Sequence, residues 1–157
     1  MSDVSPKTPC VGLCSTVYGD LICRGCKRFH HEVIGWNGYS DEQKQAVLQR
    51  LDRLLVPLIE RRFELLDSEL LQKQLVQQGI RFCGTQSPYC WVWSLLARRA
   101  RQIGSLADYG LALRPSAQRQ HLPELYQAIE TEFFALSEAY YQRYLSPNPY
   151  PASGGGQ

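Results

Sequence analysis

The sequence predicts a mainly α-helical protein in which a short N-terminal four-cysteine metal knuckle precedes a helical domain of about four helices. Three observations carry that expectation. Cys10, Cys14, Cys23 and Cys26 fall within seventeen residues of one another. Apolar residues recur at spacings of three and four from Val47 onward, the period of a helix with one buried face. Helix start and stop signals then punctuate the remainder at Ser40, Gly79, Ser87, Pro123 and Pro147.

Residues 1–9 are polar, contain two prolines, and are expected to form a flexible N-terminus. Residues 10–56 form a cysteine-rich metal-binding module with the first helix. Its front half contains Gly12, Gly19, Gly25, Gly35 and Gly38, which cannot sustain a helix but suit backbone wrapped around an ion. Ser40-Asp41-Glu42-Gln43 is a capping box, with acidic side chains at the positive end of the helix dipole, so a helix starts at about Asp41. Val47, Leu48, Leu51, Leu54 and Leu55 make its buried stripe.

Residues 57–145 form a helical C-terminal extension. Pro57 removes an amide donor inside an apolar pattern, which predicts a kink or break there and a second helix running to Gln78. Leu58, Ile59, Phe63, Leu66, Leu70 and Leu71 continue its face, and Gly79 supplies a left-handed cap. Residues 80–86 read as a connector. Ser87 and Pro88 open a third helix through Trp91, Val92, Leu95 and Leu96 that ends near Ile103. Leu106 to Leu113 reads as a short helix closed by Pro115. Pro123 opens the last helix, with Tyr126, Ile129, Phe133, Leu136 and Tyr140 on its apolar stripe. Residues 146–157 hold too little apolar content to pack and are expected to be a disordered tail.

A net charge of +2 and 20% charged residues give no dominant polyanion-binding signal. Residues 61–115 nevertheless hold eight Lys/Arg against four Asp/Glu, while residues 116–157 hold two against four. No stretch has signal-peptide or membrane-span character, so a cytoplasmic location without membrane contact is expected. In a reducing compartment, clustered cysteines are better read as thiolate ligands than as disulfides.

The spacing Cys-x3-Cys, eight residues, Cys-x2-Cys brings two close pairs together, so that Cys10, Cys14, Cys23 and Cys26 can converge on one centre. Sulfur ligands favour zinc, cuprous copper or an iron–sulfur cluster over hard cations. Four thiolates around zinc make a closed, structural site, and four cysteines equally suit an iron–sulfur cluster.

The run Thr8-Pro9-Cys10-Val11-Gly12-Leu13-Cys14, then Cys23-Arg24-Gly25-Cys26-Lys27-Arg28, Glu32-Val33-Ile34-Gly35-Trp36 and Ser40-Asp41-Glu42-Gln43 resembles the YdhL-type family of small bacterial proteins. These are predicted iron–sulfur proteins whose function is otherwise unknown. The resemblance spans residues 8–55 only and implies that Cys10, Cys14, Cys23 and Cys26 hold the centre. It implies no activity, and the residues from Leu58 onward depart from the family's short pattern.

Other residues have both a functional and a plain reading. His30 and His31 lie close enough to Cys26 to replace a thiolate, or else begin a short surface helix. Trp36 is expected to pack the knuckle on the first long helix. Cys83 and Cys90 suit a redox pair, with Cys90 activated in a helix's first turn, or else two packed thiols. Arg98, Arg99 and Arg101 with Trp91 and Trp93 upstream suit an RNA-binding surface, or else a solvated helix face. Phosphate-binding loops, metalloprotease helices and nucleophile elbows are absent, so catalysis is not required. The function expected is therefore that of a metal-binding accessory protein engaging a protein partner through a zinc or iron–sulfur centre. The alternatives are an iron–sulfur redox or sensor protein and an RNA-binding adaptor.

Overall fold

The computed structural model describes Thr16 and residues 19–145. Cys10, Cys14, the expected flexible N-terminus and the expected tail lie outside the described residues. The described chain is mainly helical, as the sequence predicts. In order it forms α1 (His30–Gly35), α2 (Asp41–Glu60), β1 (Phe63–Leu65), α3 (Ser68–Gln77), α4 (Pro88–Arg99), β2 (Leu111–Leu113) and α5 (Leu122–Tyr144). Short 3-10 turns occupy Trp36–Gly38, Leu106–Tyr109 and Pro115–Ala117. Among the described residues, no helix is long and apolar enough to cross a membrane.

Helix α2 begins as its capping box requires. The Ser40 side chain accepts from the Gln43 amide at 3.1 Å, and the Gln43 side chain accepts from the Ser40 amide at 2.8 Å. Pro57 does not break it. The missing amide costs one hydrogen bond, but the Pro57 carbonyl still accepts from Arg61 at 3.2 Å, and Leu58 and Ile59 are buried on the next turn. Tertiary packing outweighs the local defect. The break falls instead at residues 61–67, where β1 pairs antiparallel with β2 in the register Phe63↔Leu113, Glu64↔Ala112, Leu65↔Leu111.

A new helix, α3, then starts with Asp67 as N-cap, its carboxylate accepting from the Leu70 amide at 3.1 Å. Gly79 takes φ +68 directly after it, and the Ile80 amide returns to Leu75 at 2.9 Å, so the predicted left-handed cap is present. Leu106 to Leu113 is not the single short helix expected. A 3-10 turn ends at Gly110 (φ +71), and the chain leaves as β2. Helix α4 stops at Arg99, and residues 100–102 continue only as a turn.

Helix α2 lies against both α4 and α5, α4 lies against α5 and α3, and the small sheet closes one end. One core joins Trp36, the α2 stripe, Phe63, Leu71, Leu75, the apolar face of α4, Leu111 and the α5 residues Leu125, Ile129 and Phe133. On α5 the buried row is Leu125, Ile129, Phe133 and Ser137. This differs from the predicted stripe because Tyr126 and Tyr140 are only half-buried and Leu136 is exposed. Packing on two helices at once selects a strict four-residue row rather than the widest apolar arc.

Gly110 carries the tightest turn. Its amide donates to Ala107 within the 3-10 turn while its carbonyl accepts from the Leu66 and Asp67 amides, and a Cβ there would clash with the Asp67 carbonyl oxygen. Gly110→Ala should therefore lose more than the roughly 1–2 kcal/mol that a left-handed residue costs by itself. Urea unfolding followed by circular dichroism measures it; a loss below that range would show that the turn relaxes freely.

Candidate metal centre

Residues 21–30 form a tight hairpin that carries Cys23 and Cys26. The Leu21 carbonyl accepts from the His30 amide at 2.7 Å, and Ile22 bridges Phe29. The Cys23 amide donates to Arg28 at 2.8 Å, and the Lys27 amide donates to Cys23 at 2.8 Å. Closing so short a turn places Lys27 at φ +69, a left-handed conformation that a non-glycine residue adopts at some cost. Both thiols are buried and form no disulfide among the described residues, and they lie within hydrogen-bonding reach of each other. Their shared hydrogen bond, then burial, push the Cys26 thiol well up, against the opposing pull of Arg28. The Arg28 Nε donates to the Cys26 sulfur at 3.2 Å while its guanidinium lies 4.8 Å over the Trp36 ring.

The described half of the predicted centre is thus one close pair of sulfurs on one turn, a donor set suited to a soft metal and poor for a hard one. Cys10 and Cys14, the other predicted ligands, lie outside the described residues. His31 is exposed with its ring against Phe29, and His30 opens α1. Neither joins the cysteines in a group of three metal-ligating side chains among the described residues. Trp36 is buried in the same core as the α2 stripe, and Arg28 of the hairpin and Lys44 of α2 both lie over its ring, in keeping with the expected packing of the knuckle on the first long helix.

Two ion pairs that sequence reasoning missed, one largely and one fully buried, fasten this hairpin and the α1 turn that follows it. The Lys27 ammonium, 1% exposed, donates to the Arg24 carbonyl at 2.6 Å, the Gly25 carbonyl at 3.0 Å and the Glu130 carboxylate at 2.6 Å. All three of its protons are used. The other Glu130 oxygen accepts from Trp93 Nε1 at 2.6 Å, and the ammonium sits over the Trp93 and Phe133 rings at 5.4 and 5.3 Å. The second pair is bidentate: Arg50 grips Glu32 through both nitrogens of its fork, and its guanidinium lies 4.0 Å over Phe29. Glu32 also accepts from the Phe29 amide at 2.9 Å.

Signals for these residues were present but faint. Arg50 stands three residues after Val47 and four before Leu54, on the edge of the buried stripe. Glu130 stands four after Tyr126 and three before Phe133. A charged side chain at helical spacing within an apolar face is a candidate for burial with a partner.

Cys83 and Cys90 are buried, and with Cys26 they border one cavity of about 50 Å³ beneath α4. Cys90 is not the activated thiol its position suggested. It donates to the Asp52 carboxylate at 3.2 Å, and burial, followed by that charge, pushes it well up. For Trp91 and Trp93 the structure favours packing over the stacking surface that is one of two readings of the sequence. Both rings are buried, with Trp91 Nε1 donating to the Cys83 carbonyl at 2.9 Å, and Arg99 is engaged by Gln78 at 3.3 Å.

A family model described as a protein of unknown function (DUF1289) matches residues 8–55. The chain is therefore similar, over about a third of its length, to a small cysteine-rich segment of unknown function that carries Cys10, Cys14, Cys23 and Cys26. Comparison with curated proteins and with solved structures finds no match.

Lys27→Met should destabilise the folded chain by up to roughly 3 kcal/mol, because it leaves the half-buried Glu130 carboxylate without its cation. Adding Glu130→Gln should recover part of that loss in a denaturant titration, and strictly additive losses would refute the coupling. For Cys90, iodoacetamide at neutral pH should label it only after unfolding; native labelling at the rate of a free cysteine would contradict its pairing with Asp52.

Proposed function

We propose that this chain is a cytoplasmic metal-binding accessory protein. Cys10, Cys14, Cys23 and Cys26 would hold one zinc ion or iron–sulfur cluster, and the surrounding surface would engage a protein partner. The observation that carries the reading is the Cys23/Cys26 pair: two buried, unbridged thiols on one tight turn, with a guanidinium donating to one sulfur. Support also comes from the segment match, which includes all four cysteines, and kinship with the YdhL-type predicted iron–sulfur proteins belongs to the same reading.

When bound, zinc would supply a closed structural cross-link, whereas a cluster would supply a one-electron redox centre. The chain's own contribution is to hold two sulfurs at fixed separation in a site that burial keeps largely dry. Arg28 places a hydrogen bond on Cys26, the kind of contact that tunes a sulfur ligand and raises a cluster's potential. A redox reading draws on one further observation, that Cys26 borders the same cavity as Cys83 and Cys90.

Metal analysis and visible spectra of anaerobically purified protein test the proposal. A brown protein that bleaches on reduction supports the cluster and the redox reading; a colourless one with about one zinc per chain supports the structural ion. Cys23→Ser should lose the metal and loosen the hairpin, since such sites fold with their ligand. Wild-type protein free of zinc and iron, or Cys23→Ser that retains its metal in full, would end the proposal.

A further inference from the structure

Three arginines, Arg81, Arg98 and Arg101, stand exposed around the outer side of α4. Among the described residues none of the three has a carboxylate within salt-bridge distance, a condition they share with Arg53, Arg114, Arg119 and Arg143; what sets them apart is that they border the same two adjoining spaces. Arg81 and Arg98 rim the 50 Å³ cavity beside Cys26, whose inner walls include Leu51, Leu55 and Phe133. An adjoining open groove of about 270 Å³ runs on along α4 to the start of α5, past Arg98, Arg101 and Gln127. The two spaces share Ala97 and Arg98, and no Asp or Glu lines either.

We propose that this groove binds an acidic peptide segment of a partner protein, with one apolar side chain of that segment entering the cavity. The arginine fork matches a carboxylate in a bidentate geometry, so an unpaired row of three selects a multiply acidic ligand. A cavity of 50 Å³ exceeds the 10–15 Å³ that a single water needs, and although polar groups share its lining, the buried side chains of Leu51, Leu55 and Phe133 offer contact to one apolar anchor. RNA fits less well, because Trp91 and Trp93, which would have offered stacking faces, are buried. The chain's own residues 146–157 fit no better, since they contain no Asp or Glu. The proposal develops the partner-binding part of the reading above and does not depend on the identity of the metal.

Fluorescence polarisation on the full chain tests it, with three labelled probes at low ionic strength. They are a peptide with one leucine flanked on each side by glutamates, its glutamine counterpart, and an oligouridylate of similar length. The glutamate peptide should bind best and weaken with added salt. Arg98→Glu with Arg101→Glu should reduce its affinity by about tenfold or more. Arg98→Gln with Arg101→Gln should give a smaller loss and guards against a fold defect. Arg119→Glu, an exposed site off the groove, should leave binding unchanged. The proposal is overturned by an equal loss in Arg119→Glu, by equal binding of the glutamine peptide, by tighter binding of the RNA, or by no peptide binding at all. Metal content measured on every sample separates the two readings: peptide binding without metal would refute the proposed centre alone, and metal without peptide binding would refute the groove alone.

Discussion

Lys27 is the joint on which the front of the molecule turns. Its backbone is left-handed, so the hairpin can close within six residues between Cys23 and Arg28. Its side chain then passes back beneath its own loop to satisfy the carbonyls of Arg24 and Gly25, the two residues between the cysteines. Glu130 supplies the countercharge from α5, more than one hundred residues away in sequence. A buried ammonium without that carboxylate would carry a desolvation cost of several kcal/mol, and the carboxylate is in turn aimed by Trp93 on α4. The position of the sulfur pair is therefore set by two helices that contribute no ligand to it.

Two levels of attachment follow. The Glu32–Arg50 pair lies wholly within residues 8–55, the matched segment, and joins α1 to α2, with Glu32 also holding the hairpin's Phe29 amide. The Lys27–Glu130 pair crosses to residues outside that segment. Phe29 is similarly shared, meeting Arg50 on one side and the rings of Tyr140 and Tyr141 on the other. A short segment of this kind has little core of its own, and ion pairs with cation–π contacts are one means of docking it without a large apolar face. In this chain the helices after residue 57 supply the second half of that docking.

The sequence was most legible where local chemistry decides the outcome. The Ser40 capping box, the Gly79 cap and the Ser87–Pro88 start all act through neighbouring backbone groups, and all are present. It was least legible where distant partners decide. Phe63, Leu66 and Leu70 have helical spacing, yet Phe63 pairs with Leu113 and the helix restarts at Ser68. The strands are three residues each, too short for an alternating pattern to stand out. Of the candidate site, the sulfur pair was readable from its spacing, but Lys27, Glu32, Arg50 and Glu130 were not. Their meaning lies in which charge faces which across the fold.

Charge placement also divides residues of the same type into different roles. Cys26 and Cys90 are both buried and border the same cavity, but a guanidinium donates to Cys26 whereas Cys90 donates to a carboxylate. Both thiols are raised, Cys26 by its hydrogen bond with Cys23 and by burial and Cys90 by burial, but at Cys26 the guanidinium opposes that rise whereas at Cys90 the carboxylate adds to it. Asp52 has its own structural duties, accepting from the Gln86 side chain at 2.7 Å and from the Ser87 amide at 3.0 Å at the entrance to α4. Cys90 thus belongs to the machinery that anchors a helix start. The one helix that it helps to anchor carries Trp93 toward Glu130, and through Glu130 reaches the turn that holds Cys23 and Cys26.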